Sequence, residues 1–302
     1  MRLRHIEVFQ AIRQAGSISG AAQLLHISQP AVTKTLQHAE SQLGFALFLR
    51  VKGKLLVTPE ALELEREVNK VTASVDGVRR LAQNLRHQPG QTLRIGATPA
   101  LAFSLLPTLI GEWTRRYPGT SCELASLHSQ ELVQNLFMRE IDIGLTLRYP
   151  DHPGLNVQPL AQSVLVALAP RDYWTPEQQA LPLPVEELSD APLIGLSHAD
   201  PLFSQLGLHL NTFDPPPRTA IRVQTYSLAS ALVASGTGLA VVDPFTALSA
   251  PPERTAIRSL TPSWPVTLFA MTRANEPHPH ILDSLIALLG EQARHLLASI
   301  RQ

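Results

Sequence analysis

Residues 16–34 read GSISGAAQLLHISQPAVTK, and this stretch predicts two short helices joined by a tight turn. Gly16 ends a preceding helix, and Ser17 is a favourable N-cap for the next one. Ser28 is the N-cap of a further helix, and Pro30 lies in its first turn, where a missing N–H group costs nothing. The apolar residues of that helix recur at helical spacing and leave its other side polar. The pattern is typical of a helix-turn-helix.

The flanking sequence completes a small winged module. Upstream, Leu3, Ile6, Phe9 and Ile12 recur at the spacing of an amphipathic helix. Downstream, the sequence predicts two short strands over residues 46–50 and 55–57, joined by a basic turn at Lys52-Gly53-Lys54. We therefore expect a helix-turn-helix followed by a basic hairpin.

A long helix follows from Thr58-Pro59 to about Gln88, where Pro89-Gly90 breaks it. Its apolar residues are separated alternately by three and four positions, which is a heptad pattern, and they form one seam: Ala61, Leu64, Val68, Val71, Val75, Val78, Ala82 and Leu85. Because residues 1–59 do not offer enough apolar surface to cover this seam, we expect it to pair with a second copy of the chain. The alternative is an ordinary amphipathic helix that packs on its own domain.

After Pro89 the sequence alternates between apolar strands and amphipathic helices, which predicts a mostly parallel α/β sheet. The predicted strands are 93–97, 122–127, 141–145, 164–169, 193–196, 220–223, 239–242 and 266–270. A final helix is expected near residues 280–300.

The chain is electrically neutral overall, but its parts are not. Residues 1–59 carry seven Lys or Arg side chains against two Asp or Glu and have a net charge of +5. Residues 91–302 carry 13 bases and 18 acids, a net charge of −5. A small basic region followed by a larger acidic one is expected when only the first part meets a polyanion.

Composition excludes several classes of protein. With 44% hydrophobic and 17% charged residues the chain is not disordered. Its 302 residues are more than a single hydrophobic core usually holds, so we expect two domains. The single cysteine, Cys122, cannot form an intrachain disulfide. No apolar stretch approaches the roughly 20 residues that cross a bilayer. We therefore expect a protein of the cytoplasm, with no membrane partner.

The first turn of the second helix of a helix-turn-helix must enter the major groove of double-stranded DNA to read its sequence. Gln29 can pair with adenine, the Thr33 methyl group can contact thymine, and Lys34 can reach guanine or a phosphate. Basic side chains on the hairpin would lie beside the adjacent backbone. The predicted DNA-binding residues are Ser28, Gln29, Pro30, Thr33, Lys34, Arg50, Lys52 and Lys54. For any one of them a solvated helix face is the alternative.

Residues 16–34, together with the following Leu43-Gly44-x-x-Leu47-Phe48-x-Arg50, resemble the LysR-type transcriptional regulators. The resemblance implies a winged helix-turn-helix at 1–58, a dimerising linker helix at 59–89 and an effector domain at 90–302. That domain would be α/β and similar to periplasmic binding proteins, with lobe I at about 90–161 and 267–302 and lobe II at about 162–266. It also implies a homodimer or a dimer of dimers, with RNA polymerase as a further candidate partner. Lys34 departs from a frequent arginine, which puts bidentate guanine recognition there in doubt.

In an open α/β domain, ligands bind at the carboxyl ends of strands, where loops and helix starts present free N–H groups. Thr98 and the backbone of Ala100 and Leu101 follow the first strand and are the leading candidates for holding a carboxylate. The remaining predicted effector-binding residues follow other strands or are glycines that permit close approach: His128, Ser129, Thr146, Ser197, Thr225, Tyr226 and Gly236. Ser129 can equally serve as a helix cap, and Tyr226 can equally be a half-buried ring.

The resemblance is closest to the branch with the lysine-biosynthesis and opine regulators, which favours an amino acid or another small carboxylate as effector. Motifs of dinucleotide, nucleotide, zinc-protease and serine-hydrolase sites are missing from the sequence, so we expect no enzyme, cofactor or metal. Two alternatives stay open, a DNA-tethered enzyme acting on a small metabolite and an architectural DNA-binding protein that ignores ligands.

Overall fold

The chain forms two units, Met1–Gln83 and Asn84–Gln302. The structure, a computed structural model, describes residues 1–51, 54–84, 92–196, 201–214, 217, 219–276 and 279–300. Within these ranges no helix combines the length and the hydropathy needed to cross a bilayer.

The first unit is the predicted winged helix-turn-helix with a long helix after it. Its elements are α1 Leu3–Ala15, α2 Ile18–Leu24, α3 Gln29–Leu43, β1 Phe48–Val51, β2 Lys54–Val57 and α4 Pro59–Asn84. The predicted boundaries around the turn are confirmed, since Gly16 has a φ of 67° after α1 and the Ser17 hydroxyl accepts the Gly20 N–H group. His26, with a φ of 52°, makes the sharp turn before α3.

The core of the first unit joins the three short helices to the hairpin. Phe9 and Ile12 of α1, Val32 of α3 and Leu47 before β1 are fully buried in one cluster. The Phe9 ring packs on Phe48 with the ring centres 5.6 Å apart. The hairpin is therefore fixed to the helices by aromatic packing as well as by its position in the chain.

The predicted seam on α4 is divided between two environments. Ala61 and Val68 are buried in the core of their own unit and Leu64 packs against it, whereas Val71 and Val78 are 42% and 63% exposed. The expectation that residues 1–59 cannot cover the seam was therefore wrong for its first half. The reason is that α1 offers one side to α4, where Arg13 forms a bidentate ion pair with Glu65 at 2.9 and 3.0 Å. The predicted end of this helix at Gln88 lies outside the described residues.

The second unit alternates strands and helices from residue 92 onward. Its helices are α5 Pro99–Ser104, α6 Leu106–Arg116, α7 Ser129–Phe137, α8 Pro176–Gln179, α9 Pro201–Leu210, α10 Tyr226–Ala234, α11 Pro244–Ser249 and α12 His280–Leu297, with a 3-10 helix at Val185–Asp190. Its strands are β3 Thr92–Ala97, β4 Ser121–Ser126, β5 Ile143–Thr146, β6 Leu155–Val164, β7 Val166–Pro170, β8 Leu183–Pro184, β9 Leu193–Leu196, β10 Thr219–Val223, β11 Leu239–Val242, β12 Thr255–Thr261 and β13 Pro265–Arg273.

These strands form two sheets, one for each lobe. The sheet of lobe I has the order β4-β3-β5-β13-β6, and that of lobe II has the order β10-β9-β11-β7-β12-β8. The expectation of a mostly parallel sheet was only half correct. In lobe I, β3 pairs in parallel with β4 and β5, but β13 runs antiparallel to both β5 and β6. In lobe II, β7 runs antiparallel to both of its neighbours. Each sheet is mixed because the chain crosses between the lobes on antiparallel strands.

The two crossings lie side by side. Leu165 joins β6 of lobe I to β7 of lobe II, and residues 262–264 join β12 of lobe II to β13 of lobe I. The Leu165 N–H group donates to the Trp264 carbonyl at 2.8 Å, so the two connections are hydrogen-bonded to each other. The carboxyl ends of β3, β5 and β10 lie near one another at the cleft between the lobes.

Candidate functional site

The amino end of α3 presents a polar surface, which we call the reading face: Ser28, Gln29, Pro30, Thr33 and Lys34. All of these residues are exposed except Thr33, which is half-buried. Ser28 has extended backbone and is the N-cap of the helix, as the sequence predicts, although its hydroxyl makes no capping bond. Instead its carbonyl accepts the first helical N–H groups.

Two bonds hold the side chains of the reading face. The Ser19 hydroxyl of α2 donates to the Gln29 Oε1 atom at 3.3 Å, and the Thr33 hydroxyl donates to the Gln29 carbonyl at 3.1 Å. The Gln29 amide NH2 group is therefore left as a donor, and the Thr33 methyl group is left as an apolar contact. The NH2 group can donate to adenine N7, the second lone pair of Oε1 can accept from adenine N6, and the Thr33 methyl group can contact a thymine methyl group.

The wing contributes one described basic side chain. Arg50 lies on β1 and is exposed. Lys54 pairs with Val51 across the hairpin through its backbone, but its side chain and the whole of Lys52 lie outside the described residues.

A histidine pair braces the back of α3. The Nδ1 atom of His38 lies 3.1 Å from the Nε2 atom of His5, and the two rings meet edge to face. His5 is 5% exposed, and burial, together with His38, lowers its pKa below the ordinary histidine value. The lowered pKa favours the neutral form of His5, and a hydrogen bond between the two rings joins α1 to α3.

The second unit contains a cavity of about 110 Å³ between its two lobes. It is lined by Thr98, Pro99, Ala100, His128, Ser129, Thr146, Leu147, Arg148, Gln224, Thr225 and Tyr226. Thr98 directly follows β3, Thr146 ends β5 and Gln224 directly follows β10. The cavity thus combines strand ends of both sheets, and the structure brings together seven of the residues that the sequence singled out.

Two of the predicted effector residues, Leu101 and Gly236, do not line the cavity. Leu101 is fully buried in the apolar core beneath α5, because it lies on the inner side of that helix. Gly236 is exposed and has a φ of 82° after α10, so its role is to end that helix. Ser197 lies outside the described residues.

Close backbone approach is expected from the sequence at both Gly236 and Gly238; it occurs at Gly238 and involves the protein itself. A Cβ atom on Gly238 would lie 2.2 Å from the Pro192 carbonyl oxygen. The absence of a side chain there permits the start of β11 to pass against the start of β9.

Sequence reasoning missed two polar lining residues, Arg148 and Gln224. Arg148 comes two residues after β5, and Gln224 stands between β10 and the predicted Thr225. The signal that could have found them is the same strand-end rule, extended by one or two residues in each loop.

The hydroxyl groups of the cavity divide into bonded and available ones. Thr146 is 1% exposed, accepts the Arg148 N–H group at 3.1 Å and lies 3.5 Å from the Ser129 hydroxyl. Thr225 caps α10 by accepting the Leu228 N–H group at 3.3 Å. The half-buried Thr98 hydroxyl makes no such bond within the part of the chain that the structure describes, so it is available to a ligand.

Two family models match the chain. Residues 3–62 match "Bacterial regulatory helix-turn-helix protein, lysR family", and residues 86–294 match "LysR substrate binding domain". The first match covers the reading face and the wing, and the second covers the cavity.

Relatives and solved structures span nearly the whole chain. The HTH-type transcriptional regulator DgcR of Pseudoalteromonas sp is 37% identical over 95% of this chain and 98% of its own length. The transcriptional activator protein LysR of Escherichia coli K12 is 31% identical over 99% and 96% of the two chains. The crystal structure of full-length CbnR with its target DNA superimposes with a TM-score of 0.60 at 20% identity, covering 97% and 100%, and it supports the fold.

Proposed function

The chain belongs to the LysR family of transcriptional regulators, and from this premise we propose that it reads a specific DNA site through α3 and adjusts that binding when a small carboxylate occupies the cavity. The observation that carries the proposal is the pairing of an exposed polar helix start in a basic unit with a cavity between two lobes in an acidic one. A ligand can shift the lobes only if it binds their two arrangements unequally, and a difference of about 1–3 kcal/mol changes occupancy several-fold to about a hundredfold.

Base recognition is assigned to Gln29 and Thr33, with Ser28 and Pro30 fixing the start of the helix. The Gln29 amide is exposed and oriented by Ser19, so it meets DNA with little further loss of side-chain freedom. Lys34, Arg50, Lys52 and Lys54 supply phosphate contacts, which add affinity without sequence preference.

The test compares two glutamines of the same helix. A binding site is first selected from genomic fragments with the full chain, and Gln29→Ala and Gln37→Ala are then titrated with it and with single-base variants. Gln37 is exposed on the same side of α3 but about two turns further from its amino end, and it serves as the control. We expect Gln29→Ala to lose about 1–3 kcal/mol on the selected site and to stop discriminating at one base pair. An equal loss on every sequence would refute a base contact.

Two copies of the chain are proposed to pair along the second half of α4. Val71 and Val78 are exposed there, and a two-fold contact would place the same seam of each copy against the other. The assembly then presents two reading faces to the half-sites of an interrupted palindrome. We also propose that two such dimers associate into a dimer of dimers and that the protein contacts RNA polymerase.

Effector binding is assigned to Thr98, Ala100, Ser129 and Thr146 from lobe I and to Thr225 and Tyr226 from lobe II. Because the cavity is walled by both lobes, an occupant contacts both and stabilises one arrangement of them. Thr98→Val removes the available hydroxyl at nearly constant volume. Thr108→Val makes the same change at an exposed position of α6 and is the matched control. In calorimetric titrations with a carboxylate that raises the Tm of the wild type, Thr98→Val should lower affinity and Thr108→Val should not. Undiminished affinity in Thr98→Val would remove it from the site.

We propose that the cavity binds without catalysing, as the names of the relatives suggest. Ser129 lies against the Thr146 hydroxyl rather than against a histidine, so among the residues that the structure describes no base is placed to activate it. A bound metabolite recovered unchanged after prolonged incubation, by mass spectrometry, is the expected result. We also propose domain limits at 1–58, 59–89 and 90–302, and a location in the cytoplasm, where the chromosome is accessible.

A further inference from the structure

The walls of the cavity carry positive charge without a matching negative one. Arg148 carries a positive charge, while the described lining residues include no Asp or Glu. Arg148 is exposed, and within the described ranges no carboxylate lies at ion-pair distance from its guanidinium group. A surface arginine that lacks an acid partner and faces a cavity keeps its charge available to an occupant.

The backbone adds to this field from both lobes. The helices α7 and α10 are nine residues long, and their N-caps, His128 and Thr225, both line the cavity. The first N–H groups of a helix have no partner within it, and the end that bears them carries a partial positive charge. The positive charge of Arg148 and the positive ends of α7 and α10 therefore all favour a negatively charged ligand in the cavity.

The acid nearest to the cavity along the chain is already engaged. The Glu131 carboxylate accepts the His128 N–H group at 2.7 Å and closes the first turn of α7, and Glu131 is not among the lining residues. An ammonium group in the cavity would lose its hydration and gain no carboxylate there, which is unfavourable for a buried cation.

We infer that the cavity selects ligands of net negative charge over zwitterions and cations of the same length, and that Arg148 is the residue that sets this preference. The inference rests on the proposed function of the cavity and narrows the class of effector to carboxylates without an ammonium group. A carboxylate bound to Arg148 would form a charge-assisted pair, and a lining hydroxyl such as that of Thr98 would add a neutral bond.

The experiment uses the full-length chain and ligands matched in length. For carbon chains of three to six atoms, the dicarboxylate, the monocarboxylate, the ω-amino acid and the diamine are compared by thermal shift, and those that raise the Tm are titrated by calorimetry. Glutarate, pentanoate, 5-aminopentanoate and 1,5-diaminopentane make up one such set. We expect carboxylates to stabilise the protein and to bind about tenfold or more tightly than the ω-amino acid of equal length.

The variants separate the role of Arg148 from that of overall charge. Arg148→Gln should weaken the carboxylates about tenfold or more and reduce their advantage over the ω-amino acids. Arg171→Gln makes the same change of charge at an exposed arginine that does not line the cavity, and it should leave both quantities unchanged. The Tm of each ligand-free variant shows that both remain folded.

Three results would overturn the inference: tighter binding of the ω-amino acid or the diamine, equal behaviour of Arg148→Gln and Arg171→Gln, or no stabilisation by any carboxylate of the series. The experiments can refute the charge preference and the proposed regulatory function independently of each other. If a carboxylate binds through Arg148 but leaves DNA affinity and bending unchanged, the charge preference stands and the regulatory role does not. If a zwitterion or a cation alone changes DNA binding, the regulatory role stands and the charge preference does not.

Discussion

Replacing Val78 with aspartate tests the pairing of two chains along α4. Val78 exposes 63% of its surface in the single chain. Burying a whole valine side chain contributes about 1.5–3 kcal/mol, so covering the exposed part contributes roughly 1–2 kcal/mol. A two-fold contact uses this residue twice, so its loss should cost about 2–4 kcal/mol of association free energy, or roughly 30-fold to 900-fold in the dissociation constant. The charge of two facing aspartates adds to this loss.

The same substitution should leave the single chain folded, because an exposed helix position away from the core changes the free energy of unfolding by only about 0.5 kcal/mol. Sedimentation equilibrium of the full chain over a wide concentration range measures the dissociation constant, and urea unfolding measures the stability. Ala73→Asp is the control, since Ala73 is exposed on the side of α4 opposite to the seam. A Val78→Asp chain that associates as tightly as the wild type, or an Ala73→Asp chain that dissociates equally, would show that the exposed seam is not the contact.

Three further predictions concern stability and are measured by urea unfolding. Val68→Ala should lower the free energy of unfolding of the first unit by about 1–3 kcal/mol because Val68 is 2% exposed, whereas Val78→Ala should change it little; equal effects would contradict the divided seam. The lowered pKa of His5 means that folding opposes its protonation, so stability should be full above about pH 6.5 and fall as the pH drops below it, and His5→Leu should flatten that slope. Gly238→Ala should destabilise the second unit by about 1–3 kcal/mol or more, because its Cβ would meet a backbone carbonyl. Gly111→Ala is the control: its Cβ would meet open space on α6, so it should stabilise the unit by about 0.5–1 kcal/mol. If Gly238→Ala left the stability unchanged, the close approach would be refuted.

Local signals in the sequence were sufficient for the first unit. Ser17, Gly16 and Ser28 act on their own helix ends, so their consequences could be predicted without knowing what packs around them. The seam on α4 could not be apportioned in this way. Whether Val68 is covered by its own unit depends on the direction in which α4 leaves the hairpin, and no residue pattern encodes that direction.

Most strands of the second unit were found from their apolar residues, whereas β6 and β12 were missed. The predicted strand 193–196 is confirmed because all of its residues are buried. The strand β6 was missed because Pro159 interrupts it; the structure accommodates that residue with a shift of register opposite Leu268 and Phe269. The strand β12 was missed because Arg258 points inward, where the Leu181 and Pro182 carbonyls accept its N–H groups at 3.0 Å.

The cavity was predicted by a rule about strand ends rather than by any motif. That rule depends only on topology, so it found Thr98 and Thr146, which directly follow or end a strand, and Thr225, the second residue after β10. After β5 the prediction stopped at Thr146, so it did not include Arg148, which lines the cavity from two residues further along the chain. Loop conformation is decided by packing that single residues do not reveal.

The bond between Leu165 and Trp264 restricts how the second unit can deform. Because both covalent connections between the lobes pass through this one place, we expect the lobes to move relative to each other mainly by rotation about it. We therefore expect a ligand that contacts both walls of the cavity to fix the angle between the two lobes, and the size of the ligand to determine that angle. A family of effectors graded in length should then produce graded responses rather than one fixed closed state.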